Sequence, residues 1–282
     1  MKPAFTFIPA DENAGSLHMV IEQGWYGVSF AWYKNDPLSH EGILSFNFNE
    51  KISTEQAGHH LKNILETETI FNNQFRSVSI FYNFKESLLV PGKYHSDMYS
   101  NRQLNLMYGN VPDSLLKTDF INYDPGIANT EQIYNIYRVP EAIDRILIEK
   151  FPSASFMHST SMQLQHNNAA DIYCIIFHNT IKLILFNRDQ LQLVQQFHYV
   201  TPEDVVYHLL NTCEKYNVAV NEAVLMLSGM IDAESNLYYE LYKYFLNISF
   251  EPVSDEVFLS ADIKSFPSHF FSHLTALAQC VL

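Results

Sequence analysis

Residues 172–197 read IYCIIFHNTIKLILFNRDQLQLVQQF. Ile172 to Phe177 is a near-continuous apolar run, the pattern of a strand buried on both faces. After His178-Asn179, Thr180 to Phe186 reads as a second strand, and Asn187-Arg188-Asp189 supplies turn chemistry before Gln190 to Tyr199 returns as a third. Thr201-Pro202-Glu203-Asp204 then opens a helix. Thr201 is its cap, Pro202 takes the first helical position where a missing N–H costs nothing, and the acids meet the positive end of the helix dipole. The helix carries Val205, Val206, Leu209, Leu210 and Cys213 on one stripe and ends near Tyr216. Ala223 to Leu227 follows as a short apolar strand, then Ser228-Gly229, then an amphipathic helix expected from Glu234 to about Leu246. The order is three strands, helix, strand, helix.

The amino-terminal part repeats that order. Leu17 to Glu22, Tyr26 to Lys34 and Glu41 to Phe48 are strand-like, separated by Gln23-Gly24 and Asn35-Asp36-Pro37, which makes an antiparallel meander. Ser53 with Gln56 three residues on has capping-box spacing and predicts a helix to about Glu66. Arg76 to Tyr82 is the fourth strand, with Val78, Ile80 and Tyr82 on one face. Asn35 matches Asn187, Ser53 matches Thr201 and Val78 matches Ala223, at an offset of about 150 residues. Self-similarity at that scale points to a duplicated unit. The expected fold class is therefore α/β, two lobes that are each a βββαβα unit with a mixed sheet. Between the copies lie the polar stretch Ser100 to Asp113, strand-like Asp119 to Tyr123 and Gln132 to Val139, and a helix from Glu141 to Lys150. The lobe boundary is expected near Lys117, giving residues 1–117 and 118–282. Pro267 to Leu282 reads as a closing helix with Phe270, Phe271, Leu274, Leu277 and Ala278 on its core face.

With 282 residues, 47% hydrophobic and 17% charged, and only 9 Gly and 11 Pro, the chain is expected to fold throughout. The 17 basic residues against 31 acidic ones give a net charge of −14, which repels polyanions and argues against nucleic acid as a partner. Cys174, Cys213 and Cys280 are far apart and odd in number, so neither a disulfide framework nor a zinc knuckle is indicated. They read as reduced thiols of a cytoplasmic protein. No stretch approaches the roughly 18 apolar residues of a membrane span, and Met1 to Glu12 lacks the apolar core of a secretory signal. Direct membrane insertion is not expected.

The duplicated plan resembles the actin-like superfamily, which includes actin, sugar kinases and heat-shock chaperone ATPases. Leu17 to Tyr33, Ile172 to Phe197 and Ala223 to Asp232 carry the likeness, which is strongest to the smaller bacterial members, the pilus-assembly protein PilM and the cytoplasmic domain of the secretion protein GspL. The resemblance implies ribonuclease H-like lobes and a cleft in which active members hold Mg-ATP by three turns. Two are Asp-x-Gly-type hairpins whose backbone N–H groups cradle phosphates and whose aspartates organise metal and water. At the matching positions this sequence has Glu22-Gln23-Gly24 before Trp25, keeping one carboxylate and one glycine, and His178-Asn179-Thr180 after Phe177, keeping neither. The third turn, a Gly-Gly pair in the family, is Ser228-Gly229. The resemblance thus implies a non-catalytic scaffold or adaptor of a bacterial cytoplasm with a protein partner and no cofactor, metal or catalytic residue. The rival is an ATPase or small-molecule kinase that binds Mg-ATP with Glu22 in place of the usual aspartate. A third reading is a binding module for another ligand, lined by Gln23, His178 and Ser228.

Other chemistry finds little purchase. His269 and His273 have the i, i+4 spacing of zinc-protease histidines but no Glu after the first, so a packed or surface pair is expected. His59 and His60 are adjacent on a helix and point about 100° apart. No G-x-S-x-G elbow or phosphate-binding glycine motif occurs. Asp119 to Asp124, with two aspartates on strand-like residues, reads as an ordinary edge rather than a metal site, and Tyr238, Tyr239, Tyr242 and Tyr244 cover more than one helix face, so some of those rings should be exposed.

Overall fold

A computed structural model describes residues 2–48, 53–123, 131–164, 170–187 and 190–282. It contains two compact units, one of residues 1–166 with 256–263 and 277–282, the other of residues 167–255 with 264–276.

The first unit runs β1 (Phe5–Phe7), β2 (His18–Gly24), β3 (Gly27–Lys34), β4 (Ser39–Asn47), α1 (Thr54–Thr67), β5 (Ser77–Asn83), β6 (Ser87–Pro91), α2 (Asp97–Tyr108), β7 (Ser114–Tyr123), β8 (Glu131–Pro140), α3 (Glu141–Lys150), β9 (Ser155–His158) and α4 (Ser159–Gln163). The second runs β10 (Ile172–Ile176), β11 (Thr180–Asn187), β12 (Gln190–His198), α5 (Pro202–Tyr216), β13 (Val224–Gly229), α6 (Asn236–Tyr242) and β14 (Asn247–Phe250). The chain ends through β15 (Phe258–Leu259) and α7 (Ser272–Gln279).

One sheet has the order β1-β4-β3-β2-β5-β9, with β15 also paired to β4, and another has β12-β11-β10-β13-β14. Within them β4-β3-β2-β5-β9 and β12-β11-β10-β13-β14 are the same arrangement. In each, three antiparallel meander strands are followed by two that run parallel to the first. The expected pairs of signals are both in place. Ser53 Oγ accepts from the Gln56 N–H at 3.2 Å while the Gln56 side chain accepts from the Ser53 N–H at 3.0 Å. In α5 the Asp204 carboxylate accepts from the N–H groups of Thr201 and Val200, both at 2.9 Å. These bonds hold the Asp204 carboxyl below its usual value.

Each helix pattern buries its stripe against its own sheet. Leu61, Ile64 and Leu65 of α1 join Met19, Ile21, Phe30, Trp32 and Ile80, and α3 adds Ile143 and Leu147. In the second unit Val205, Leu209 and Cys213 of α5 and Leu237 and Leu241 of α6 pack with Ile172, Cys174, Leu183 and Leu225. A smaller sheet, β6-β8-β7, is inserted in the first unit with α2 beside it through Leu104, Val90 and Ile136.

Several expectations need correction. The units divide at residue 166, not near Lys117, because Lys117 lies inside β7, which pairs with β8 along its whole length, and its Nζ is 2.7 Å from buried Asp144. The polar stretch from Ser100 lies largely in α2, a helix that its own sequence does not announce. Its polarity is structural, since the Arg138 guanidinium donates to the side chains of Asn101 and Asn105 and to the Gly109 carbonyl. The helix expected to reach Leu246 stops at Tyr242, since residues 247–250 gain a full ladder beside β13. The closing helix is a 3-10 turn at Ser268–Phe270 followed by α7. Of the Asn187-Arg188-Asp189 turn, residues 188 and 189 lie outside the described residues, as does Asp124.

Candidate functional site

In open α/β sheets ligands bind at the carboxyl ends of parallel strands, so the ends of β2, β5 and β9 in one unit and of β10, β13 and β14 in the other are the places to examine. Glu22 and Gln23 are in β2 itself, and the hairpin tip is Trp25-Tyr26 between Gly24 and Gly27. Both glycines answer to neighbouring backbone. A Cβ on Gly24 would lie 2.9 Å from the Asn83 carbonyl oxygen, and one on Gly27 2.6 Å from that of Phe46. Gln23 turns its amide inward, Nε2 donating to the carbonyls of Gly24 at 2.8 Å and Gly27 at 3.4 Å, and so closes the hairpin mouth. Trp25 donates from Nε1 to Glu86 Oε2 at 2.9 Å and meets Phe84 edge-on. Glu22 is 5% exposed and lies opposite Ser29 and Phe81 in the ladder, on the face away from α1.

The adjacent strand ends add residues that the sequence did not flag. Ser159 Oγ donates to Asn83 Oδ1 at 3.2 Å. His158 Nδ1 accepts from the Thr160 N–H at 3.2 Å, so its proton sits on Nε2, which donates to the Phe84 carbonyl at 2.9 Å. With both nitrogens engaged by backbone, this imidazole is a brace rather than a base. Asp119, expected to be an unremarked strand residue, is enclosed and accepts from Tyr137 Oη, the His158 N–H and Ser161 Oγ at 2.7–2.9 Å. Burial outweighs these bonds and raises its carboxyl above the usual value.

In the second unit the tip is His178-Asn179, with the Phe177 N–H bonded to the Thr180 carbonyl at 2.8 Å. Neither carboxylate nor glycine is there, and the carbonyls of Phe177 and Asn179 are taken by the Tyr199 hydroxyl and N–H. At the end of β13, Gly229 has φ 83°, and a Cβ would stand 2.2 Å from the Ile176 carbonyl oxygen, which accepts from the Met230 N–H. Its glycine is required by the positive φ and by the close approach of the neighbouring parallel strand β10. Ser228 Oγ lies 2.6 Å from Ser272 Oγ, which also lies 2.7 Å from Glu251 Oε2. A carboxylate only accepts, so Ser272 donates to Glu251 and Ser228 donates to Ser272. His269 donates from Nε2 to the Ile231 carbonyl at 2.7 Å and stacks on Phe250, while His273 meets Phe177 edge-on. The two histidines are thus a packed pair, as their spacing without a glutamate led one to expect. The segment 264–276 therefore lies over the carboxyl ends of β10, β13 and β14 of its own unit. Glu251 and Ser272 carry no local signal: Glu251 follows a four-residue strand that only its pairing with β13 defines, and Ser272 is polar in an otherwise apolar stretch.

The family model described as protein of unknown function (DUF3822) matches residues 10–248. The chain belongs to this family. Among curated proteins none matches by sequence. Solved structures similar to this DUF3822 chain include a Bacteroides thetaiotaomicron protein with an actin-like ATPase fold and unknown function, 17% identical over 97% of this chain and 99% of that one, with a TM-score of 0.73. PilM from a PilM–PilN type IV pilus biogenesis complex is 11% identical over 94% and 98%, with a TM-score of 0.57. The cytoplasmic domain of EpsL, an inner membrane component of the Vibrio cholerae type II secretion system, is 9% identical over 95% and 96%, at 0.45. The DUF3822 fold is actin-like, as the strand order led one to expect.

Mg-ATP, the ligand that fold implies, finds a poor fit in these turns. The second hairpin offers no carboxylate and no glycine where backbone must approach phosphate, and Ser228 is engaged by Ser272. Among the described residues no group of three or more His, Cys, Asp or Glu side chains is placed to hold a metal ion. Among them, too, no helix is long and apolar enough to cross a membrane.

Proposed function

We propose that this DUF3822 chain is a non-catalytic actin-like scaffold or adaptor that acts through protein contacts in a bacterial cytoplasm. The observation that carries this reading is the segment 264–276 seated on the second unit's strand ends. Its Ser272, His269 and His273 take up Ser228, Ile231 and Phe177, where an active relative would present free backbone. The Gln23 amide filling the first hairpin supports it from the other unit. PilM, in a complex with PilN, is a precedent for an actin-like fold working in an assembly.

The test is a thermal melt of the full chain with and without millimolar Mg-ATP, followed by a phosphate-release assay. The expected result is no shift and no turnover. A ligand at about a thousand times its Kd adds roughly 4 kcal/mol, or very roughly 8–16 °C for a chain of this size. A shift of that order, or turnover that Glu22→Gln abolishes, would overturn the reading.

A further inference from the structure

Beside the tip of the first hairpin, Trp25, Glu86 and Arg138 line a cavity of about 210 Å³ whose walls include Val111, Pro112 and Pro140. Exposed Asp113 lines it too, so the cavity reaches the surface. Glu86 is 4% exposed, and a carboxylate so buried calls for a counter-charge or for several donors. It has one donor, the Trp25 indole N–H on Oε2. Among the described residues Oε1 has no hydrogen-bond partner, and no Lys, Arg or His nitrogen lies within 4.0 Å of the carboxylate. Arg138, equally buried in the same lining, does not serve. Its guanidinium is given to the Gly109 carbonyl and to the side chains of Asn101 and Asn105 on α2.

We propose that this cavity takes a primary ammonium group on a short alkyl chain, paired by Glu86 and flanked by the Trp25 indole and the two prolines. The charges select a cation. Two carboxylates line the cavity against one guanidinium whose donors are already engaged, and a net charge of −14 draws cations to the chain as a whole. A metal ion is a poor match, because among the described residues no group of three or more His, Cys, Asp or Glu side chains gathers there. The volume lies below the roughly 300 Å³ at which pockets for drug-sized ligands begin, which suits a slender chain ending in one charge. Such a group comes from a lysine of a partner protein or from a free amine. None of the nucleotide-side positions lines the cavity, so the site does not rest on the scaffold reading.

The chain has two tryptophans, and Trp32 is fully buried in the core, so a ligand at Glu86 is read through the emission of Trp25. The full chain is titrated with butylammonium chloride and with a blocked Gly-Lys-Gly peptide, against potassium chloride at equal ionic strength. The expected result is a saturable change in emission with at least one amine and none with potassium. Glu86→Gln keeps an acceptor oxygen for the indole but removes the charge. It should weaken binding at least tenfold with an unchanged circular dichroism spectrum. Asp113→Asn, at a φ of 52° that Asn tolerates, should weaken it by about two- to threefold. Tighter binding of the peptide assigns the group to a lysine of a partner, and tighter binding of butylammonium to a free amine. No saturable change with either amine would overturn the proposal, as would a response that potassium chloride reproduces or that both variants leave intact.

Discussion

The hairpin Gly24–Gly27 and the hairpin Phe177–Thr180 occupy the same place in two sheets of identical order, yet they have no residue type in common. In the first, glycine is imposed by the carbonyls of Asn83 and Phe46 on either side. In the second, phenylalanine is accommodated, and the demand for glycine falls instead on the neighbouring strand, at Gly229. The topology is thus held by features that both units keep, namely helix caps, apolar stripes and strand order. The strand ends, where open α/β sheets place their ligands, are free to change as long as backbone crowding is relieved somewhere nearby.

The largest expected effect tests whether the units are equivalent in their cores. Leu61 lies eight residues after the cap Ser53, and Leu209 eight after Thr201; both are fully buried. Leu61→Ala and Leu209→Ala should each cost about 2–5 kcal/mol by urea denaturation. A loss under about 1 kcal/mol at either site would break the equivalence. A somewhat smaller effect separates the units at their strand ends. Gly229→Ala sets a methyl group against the Ile176 carbonyl at positive φ and should cost about 2–4 kcal/mol. Phe177→Gly, which restores to the second hairpin the residue type of the first, should leave nucleotide binding undetectable in the same thermal melt, because the hairpin still lacks a carboxylate and Ser272 still engages Ser228.

The smallest effect concerns acid. The Asp204 carboxyl is lowered in the folded chain by the Thr201 and Val200 N–H groups, so its contribution is present above the unfolded value and is lost as pH falls through the folded one. Asp119 is raised by burial, so the folded chain takes up its proton first, and its contribution grows as pH falls through the folded value and is fully present below the unfolded one. Amide exchange compared at neutral pH and at a pH below the usual carboxylate range should therefore show the start of α5 losing protection before β7 does. Equal loss in both would remove this contrast.

The elements legible in the sequence are those with a local signature. Ser53-x-x-Gln56 and Thr201-Pro202-x-Asp204 mark helix starts by hydrogen bonds made within four residues, and the apolar run at Ile172 can only be satisfied between neighbours on both sides. What stayed hidden depends on distant partners. Residues 247–250 become a strand because residues 224–227 lie alongside, and α2 is tolerably polar because Arg138 reaches it from β8. The site was half legible for the same reason. Glu22, Gln23, Gly24, His178, Asn179, Thr180, Ser228 and Gly229 do sit at or beside the strand ends of their own units. The residues that occupy those ends, Ser272 and Glu251 above all, lie 44 and 23 positions beyond Ser228, with no spacing rule to connect them.

The cover on β4 has a consequence in time. A ribosome releases the chain from its amino end, and domains generally fold as they emerge. The strand that completes this edge, Phe258–Leu259, and Leu282, whose carbonyl accepts from Asn35 Nδ2 at 3.1 Å, leave the ribosome long after β4. The first unit to be synthesised is therefore finished only after the second has been made, and during translation the Ser39–His40 part of the β4 edge, beyond the cover of β1, must wait for some 200 residues of later chain. A nascent chain stopped short of residue 258 would leave Ser39 and His40 of β4 without their parallel neighbour.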